Sequence, residues 1–395
     1  MAEAWPAAWA ATWTTALEIG FWGALLGIAY PYAGYAGLIW LVARLRRQPV
    51  VTSDRLPTVT LLVAAYNEED VIARKILNSR ALDYPPEKLE ILIVTDGCTD
   101  RTEEVIRGYE GEGLRLLSRP ERQGKVNALN AAIPLARGEI VVCSDANAFF
   151  DPQNLRRLVR HFGDPRVALV AGEKRIREGK QAVSAGEGLY WRYESFLKGL
   201  DSSVSTALGA TGEIFALRKE CFEPLPPDAI IEDFILSMRY VMQGQRVVYE
   251  PEAISWEDAS PDFREEFKRK IRIIAGGWQS VIWLWPLLSP SYGIVAVQYV
   301  SHRVLRWMVV PFLLPLAFLS NVFLASKPFY AALLAIQVGL YAAAFCGYHL
   351  QARGIRWKAF YLPFYFVFLN VAALFGAYRY LTGRQPVTWE KIRRV

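Results

Sequence analysis

Apolar and polar positions divide the chain into uncharged stretches near its ends and an alternating middle. Ile19 to Val42 carries no charged residue, and neither do Met308 to Ser326, Pro328 to Tyr348 and Ala359 to Ala377. Each is about long enough to cross roughly 30 Å of hydrocarbon. In the middle, short apolar runs predict strands at Thr58 to Val63, Leu89 to Val94 and Leu114 to Leu117, and another ending at Asp145. Helical spacing predicts helices over Glu68 to Ser79, Asp100 to Tyr109 and Lys125 to Ala136. Strands and helices in alternation predict an α/β fold with a mostly parallel, doubly wound sheet. At about 200 residues, Leu56 to Asp258 is long enough to bury a core of its own. From Ser260 to Trp278 the period changes. Phe263, Phe267, Ile271 and Ile274 recur at spacings of three and four, with Lys268, Arg269, Lys270 and Arg272 among them. This is an amphipathic helix suited to the headgroup plane.

Composition supports a membrane protein: 53% of the 395 residues are hydrophobic and 13% aromatic, rich for a soluble chain. The first apolar run exceeds the roughly 7–15 residues of a signal-peptide core, follows no basic segment, and precedes Arg44, Arg46 and Arg47. It reads as a retained span with those arginines on the cytoplasmic side. One span before and three after a cytoplasmic domain leave the C-terminus outside, although Arg379, Arg384, Lys391, Arg393 and Arg394 favour the cytoplasm. Letting the proline-broken Ser280 to Ser301 cross as well would move Arg303, Arg306, Arg353, Arg356 and Lys358 outside, so it is not counted as a span. The expected organisation is an N-terminal transmembrane helix (1–50), a catalytic domain (51–258), interfacial helices (259–302), three transmembrane helices (303–382) and a basic tail (383–395) in a bacterial-type inner membrane.

Charge and cysteine exclude other classes. The net charge of +6 and a pI near 9.0 come from basic residues flanking the spans, which anionic lipid headgroups explain better than nucleic acid. Cys98, Cys143, Cys221 and Cys346 form no C-x-x-C pattern, so no zinc knuckle or disulfide framework follows, and free thiols suit a reducing cytosol.

The chemistry lies at strand ends. Ile140-Val141-Val142-Cys143-Ser144-Asp145 and Ile91-Leu92-Ile93-Val94-Thr95-Asp96 each end an apolar run on an acid, and open parallel sheets bind ligands at those ends. Arg122-Gln123-Gly124-Lys125 sets cations and a glycine at a helix start, a setting suited to a diphosphate or a nucleotide, with Lys125 as the candidate binding residue, or else a solvated basic turn. Glu68 and Glu69 alone read equally as helix N-terminal acids, and Asp100 as an N-cap.

These motifs, with Ala65-Tyr66-Asn67-Glu68-Glu69, Ser144-Asp145-Ala146-Asn147 and Ile231-Glu232-Asp233-Phe234, together resemble the membrane-bound inverting glycosyltransferases of family 2, which have a GT-A fold. The resemblance runs from about Val59 to Gln279. The flanking spans are similar to those of the branch with chitin-oligosaccharide, poly-N-acetylglucosamine and hyaluronan synthases. It implies that Ala65, Tyr66 and Glu68 frame a nucleotide and that Asp96 contacts uracil. Asp145 and Asn147 stand where the family holds Mg²⁺ or Mn²⁺, the second acid of the pair being an amide here, so that Asp145 is the principal ligand and Asn147 either supplies a neutral oxygen or orients the sugar or a metal-bound water. Asp233 is the implied general base, with Glu232 as the alternative base or a helix-start residue. Gly209-Ala210-Thr211-Gly212 with Arg218 resembles an acceptor loop, or is a turn before a strand; Trp191 and Tyr193 either stack on sugar or belong to the core.

One departure concerns product length. Processive members carry Gln-x-x-Arg-Trp on the interfacial helix, whereas this chain has Arg269-Lys270-Ile271-Arg272-Ile273. Arg272 is retained for the leaving diphosphate, while Trp278 and Gln279 lie too far along the helix to replace the missing pair. The implied function is transfer of a hexose or N-acetylhexosamine from a UDP-sugar to a lipid-linked or growing saccharide. The alternatives are a polyprenyl-phosphate glycosyltransferase and a catalytically idle sugar-nucleotide-binding subunit.

Overall fold

A computed structural model describes residues 4–111, 113–177, 183–258, 263–353, 355 and 357–387. Ser260 to Asp262, Arg356, Lys391, Arg393 and Arg394, invoked above, lie outside the described residues. The chain forms two compact units, Met1–Leu38 with Phe263–Trp278 and Val297–Arg384, and Ile39–Asp262 with Gln279–Ala296 and Gln385–Val395.

In chain order, helices α1 (Ala4–Ala29) and α2 (Tyr35–Leu45) flank a π-helical turn at Tyr30–Gly34. There follow β1 (Val59–Ala65), α3 (Ile72–Arg80), β2 (Leu89–Thr95), α4 (Thr102–Arg107), β3 (Leu114–Leu117), α5 (Lys125–Ala132), β4 (Ile140–Asp145) and β5 (Phe149–Phe150). Next come α6 (Asn154–Val159), β6 (Val167–Ile176), α7 (Val183–Val204), β7 (Ile214–Arg218), α8 (Glu232–Met242) and β8 (Arg246–Glu257). The remainder is helical: α9 (Phe263–Trp283), α10 (Ile294–Tyr299), α11 (Val310–Leu324), α12 (Pro328–Ala352) and α13 (Lys358–Leu381).

Four helical stretches among the described residues are long and apolar enough to cross a membrane: Thr12–Leu45, Ile294–Leu324, Pro328–Gln351 and Ala359–Leu381. The second begins well before Met308, because α10 runs through a π-helical segment, Val300–Val309, into α11. Within this unit Phe21 packs with Leu324 and Tyr330, and Glu18 pairs with Lys327 at 2.7 Å. The apolar stripe of α9 is spent on α13. Phe263 meets Phe364 and Phe368, and Phe267 meets Phe368 and Phe375.

The other unit is built on one eight-stranded sheet in the order β3-β2-β1-β4-β7-β6-β8-β5. β1 pairs in parallel with β2 and β4, and β2 with β3, while β7 runs antiparallel to β4 and β6. Central strands covered on both faces read as continuous apolar runs, and β1, Val59 to Ala65, is buried along almost its whole length. The chain winds outward from β1 to β2 and β3 on one side and to β4 on the other. That reversal is the switch point at which open sheets bind ligands, and it brings the ends of β1, β2 and β4 to one edge. α3 covers a face with Ile72, Lys75, Ile76 and Ser79, all buried.

One boundary differs from expectation. The helix foreseen from Glu68 begins at Ile72, because the preceding residues bind a neighbouring loop. Asn67 takes a left-handed conformation at φ 53°; Glu68 N donates to Thr102 Oγ1 at 2.7 Å and Glu69 N to Asp100 Oδ2 at 3.3 Å.

Candidate active site

At the carboxyl ends of β1 and β2 is a cleft lined by Ala64, Ala65, Tyr66, Asp96, Arg122, Gly124, Lys125 and Ala128. The Arg122 guanidinium lies 3.9 Å over the Tyr66 ring. Asp96 closes one side, and its carboxylate is committed to the adjacent loop. It accepts from Arg119 Nη1 at 3.0 Å, Gln123 N at 3.0 Å and Gly124 N at 2.6 Å. Gly97 makes this close approach feasible: at φ 66° a side chain is strained, and a Cβ there would stand 2.5 Å from Arg122 N.

Lys125, first residue of α5, is nearly buried and gathers three elements. Its Nζ lies 2.7 Å from Asp145 Oδ1 at the end of β4 and 2.8 Å from Glu232 Oε1 at the start of α8. It also donates to Gly212 O, before β7, at 3.3 Å. Burial alone would lower this ammonium, yet Asp145 and Glu232 hold it well above the usual lysine range. Its three protons are therefore occupied within the site. Burial pushes Asp145 above the ordinary carboxylate range, with Lys125 opposing. Gly212 belongs to the same cluster. A Cβ there would meet Lys125 Nζ at 3.0 Å, Asp233 Oδ2 at 3.6 Å and Glu232 Oε1 at 3.7 Å.

Asp233 follows on α8, its Oδ1 accepting from Phe234 N at 2.9 Å. Burial first and the Glu232 charge second push it up to about 7, against the pull of Lys125. The loop ahead of these acids is anchored by Gln279, which accepts from Ile230 N at 2.8 Å and donates to Asp228 O at 2.9 Å.

Beneath the turn that carries Asp145 and Asn147 is a residue the hydrophobic pattern did not single out. Lys75, wholly buried on α3, donates to Ser144 Oγ at 2.7 Å and Ala148 O at 2.5 Å, bracketing the turn. Burial lowers it to about 7, with Asp145 opposing. Its place on the Ile72–Ile76–Ser79 face was the available signal. A second buried lysine, Lys174 on β6, joins Glu213 and Glu257, and Asn147 Nδ2 donates to Glu257 Oε1 at 2.5 Å.

The oxygens at this turn fit a hard, oxygen-seeking cation. Nothing among the described residues donates to Asp145 Oδ2 or Asn147 Oδ1. No three His, Cys, Asp or Glu side chains among the described residues are arranged to hold a metal by themselves, so diphosphate oxygens would have to complete the shell.

The structure thus brings Lys125, Asp145, Glu232 and Asp233 together, with Ala65, Tyr66 and Asp96 on the adjoining cleft. Arg272 lies in the other compact unit, on α9. Arg218 does not join the Gly209–Gly212 loop. It pairs with Ile140 at the opposite end of β4 and donates to Val167 O, Phe162 O and Asp164 O. Trp191, on α7, has the ammonium groups of Lys174 and Lys198 over its ring.

Residues 60–225 match the model of a family described as Glycosyl transferase family 2. The poly-beta-1,6-N-acetyl-D-glucosamine synthase of Staphylococcus aureus is 30% identical over 246 residues, 60% of this chain and 59% of that protein. Its counterpart from Staphylococcus epidermidis is 25% identical over 58% of this chain and 57% of its own length. The chain thus spans about three-fifths of the curated relatives it matches. Among solved structures, a mannosyltransferase from Pyrobaculum calidifontis, in complex with GDP-mannose and Mn²⁺, superposes with a TM-score of 0.71 at 24% identity, covering 94% of this chain and 99% of that one. The fold is GT-A.

Proposed function

We propose, from the match of residues 60–225 to the family 2 glycosyltransferase model, that the chain transfers a hexose or N-acetylhexosamine, with inversion, from a UDP-sugar to a lipid-linked or growing saccharide at a bacterial-type inner membrane. The catalytic domain faces the cytoplasm in this reading, where nucleotide sugars are made.

Inversion is a direct displacement at the anomeric carbon. The acceptor oxygen attacks, a carboxylate takes its proton, and the nucleoside diphosphate departs. Asp233 is the base. The observation that carries the reading is its placement beside the Lys125–Asp145–Glu232 cluster with an affinity for protons near neutrality, the range in which a general base works best. Glu232 is held by Lys125 and acts as structural partner. Asp145, with the Asn147 oxygen, would hold Mg²⁺ or Mn²⁺, which when bound neutralises charge on the diphosphate. Ala65, Tyr66, Glu68 and Asp96 frame the nucleotide, Asp96 acting partly through the Arg122–Gly124 backbone it fixes. Arg272 is the residue for the leaving group.

The test is turnover of detergent-solubilised protein across a panel of UDP-sugars with Mg²⁺ or Mn²⁺. Release of UDP coupled to sugar transfer supports the proposal. Binding of UDP with no turnover of any donor would instead indicate an idle binding subunit.

A further inference from the structure

Asn147 stands where the family pattern has an acid, and its surroundings explain the amide. Its Nδ2 donates to Glu257 Oε1 at 2.5 Å, while Glu257 Oε2 is held by the fully buried Lys174, which also binds Glu213. The arrangement is rigid, since Lys174 and Glu257 lie on β6 and β8, strands in register as Lys174↔Ser255 and Ile176↔Glu257. An asparagine amide can face either way, but an ionised carboxylate only accepts, so it admits the NH₂ and rejects the carbonyl. Glu257 therefore determines which atom Asn147 leaves open. That atom is Oδ1, to which nothing among the described residues donates. An aspartate at this position would bring two carboxylates within hydrogen-bond distance, where both cannot remain ionised.

We propose that Glu257 is a positioning residue that locks Asn147 as an oxygen donor to the metal–nucleotide. The Asn147–Glu257 pair then divides between two residues what the pattern's second aspartate combines in one, with Asn147 supplying the oxygen and Glu257 the negative charge. This rests on the nucleotide-sugar reading above.

The experiment is calorimetric titration of the detergent-solubilised full chain with UDP, with and without Mn²⁺, for N147D, E257Q and the double variant, alongside thermal unfolding of each. N147D should weaken Mn²⁺-dependent UDP binding by about tenfold or more, and E257Q by several-fold as the amide becomes free to turn. The double variant restores the total charge and the same bond with donor and acceptor exchanged, so its affinity should return to within about threefold of the original. Binding by N147D equal to the unaltered protein, or a double variant no tighter than N147D, overturns the proposal. Should N147D fail to fold, recovery of folded protein on adding E257Q reads the same coupling, and its absence overturns it. An unaltered protein that binds no UDP in Mn²⁺ defeats the functional reading itself, whereas normal binding insensitive to this pair defeats the Asn147–Glu257 inference alone.

Discussion

Single residues carry most of the chemistry, and their environments rank them. Asp145 offers the carboxylate of its turn and Asn147 a neutral oxygen. Asp145→Ala is expected to abolish turnover and weaken metal-dependent UDP binding, while Asn147→Ala keeps measurable activity, as read by UDP release. Lys75 makes a separate, titratable contribution. Its folded-state affinity, about 7, lies below that of an exposed lysine near 10.4, so between these values the unfolded chain binds the extra proton. Stability from this site therefore rises with pH across that window and is absent below it. Thermal unfolding should show the protein gaining on its Lys75→Met variant from about pH 7 to 10; a gap that stays constant would contradict the assignment.

At the scale of elements, the site depends on how closely strand ends and helix starts approach one another. Gly212 lets the segment before β7 reach Lys125. Gly212→Ala is expected to lower turnover by about tenfold or more, with a melting temperature close to the original, because the crowded group is the ammonium that ties β4 to α8. The elements were largely legible in the sequence: β1, β2 and β4 are buried parallel strands whose apolar runs end on Asp96 and Asp145. The Glu68 helix start was misplaced because Asn67, Glu68 and Glu69 bind the Thr99–Thr102 loop, a pairing between distant residues that no local spacing encodes. Lys75 escaped notice because a lysine on an amphipathic helix is usually solvated. Glu257 and Lys174 were hidden because their meaning arises from the pairing of β6 with β8. Arg218 was misread because a strand, once formed, carries its two ends to opposite edges of the sheet.

For the whole molecule, the question is what product the proposed transfer releases. Helix α9 has Arg269 and Ile273 where the pattern of processive family members has Gln and Trp, and Arg269 is engaged with Glu266 at 2.8 Å, one turn back. Addition of one or a few sugars to a lipid-anchored acceptor is expected, with loss of catalysis in Arg272→Ala. Mass analysis of the product decides this, and a long polymer made without added acceptor would show the replaced motif to be dispensable. The central claim, Asp233 as the base of sugar transfer, is tested most directly by kcat/KM over about pH 5 to 9 for the protein and its Asp233→Asn variant. Because an acid must lose its proton to act as base, kcat/KM should fall about tenfold per pH unit below an apparent value near 7 and level off above it. The variant should bind UDP normally, turn over about 10²- to 10⁴-fold more slowly, and lose that acid limb. Undiminished turnover by Asp233→Asn, or an acid limb that persists unchanged in it, would contradict the account.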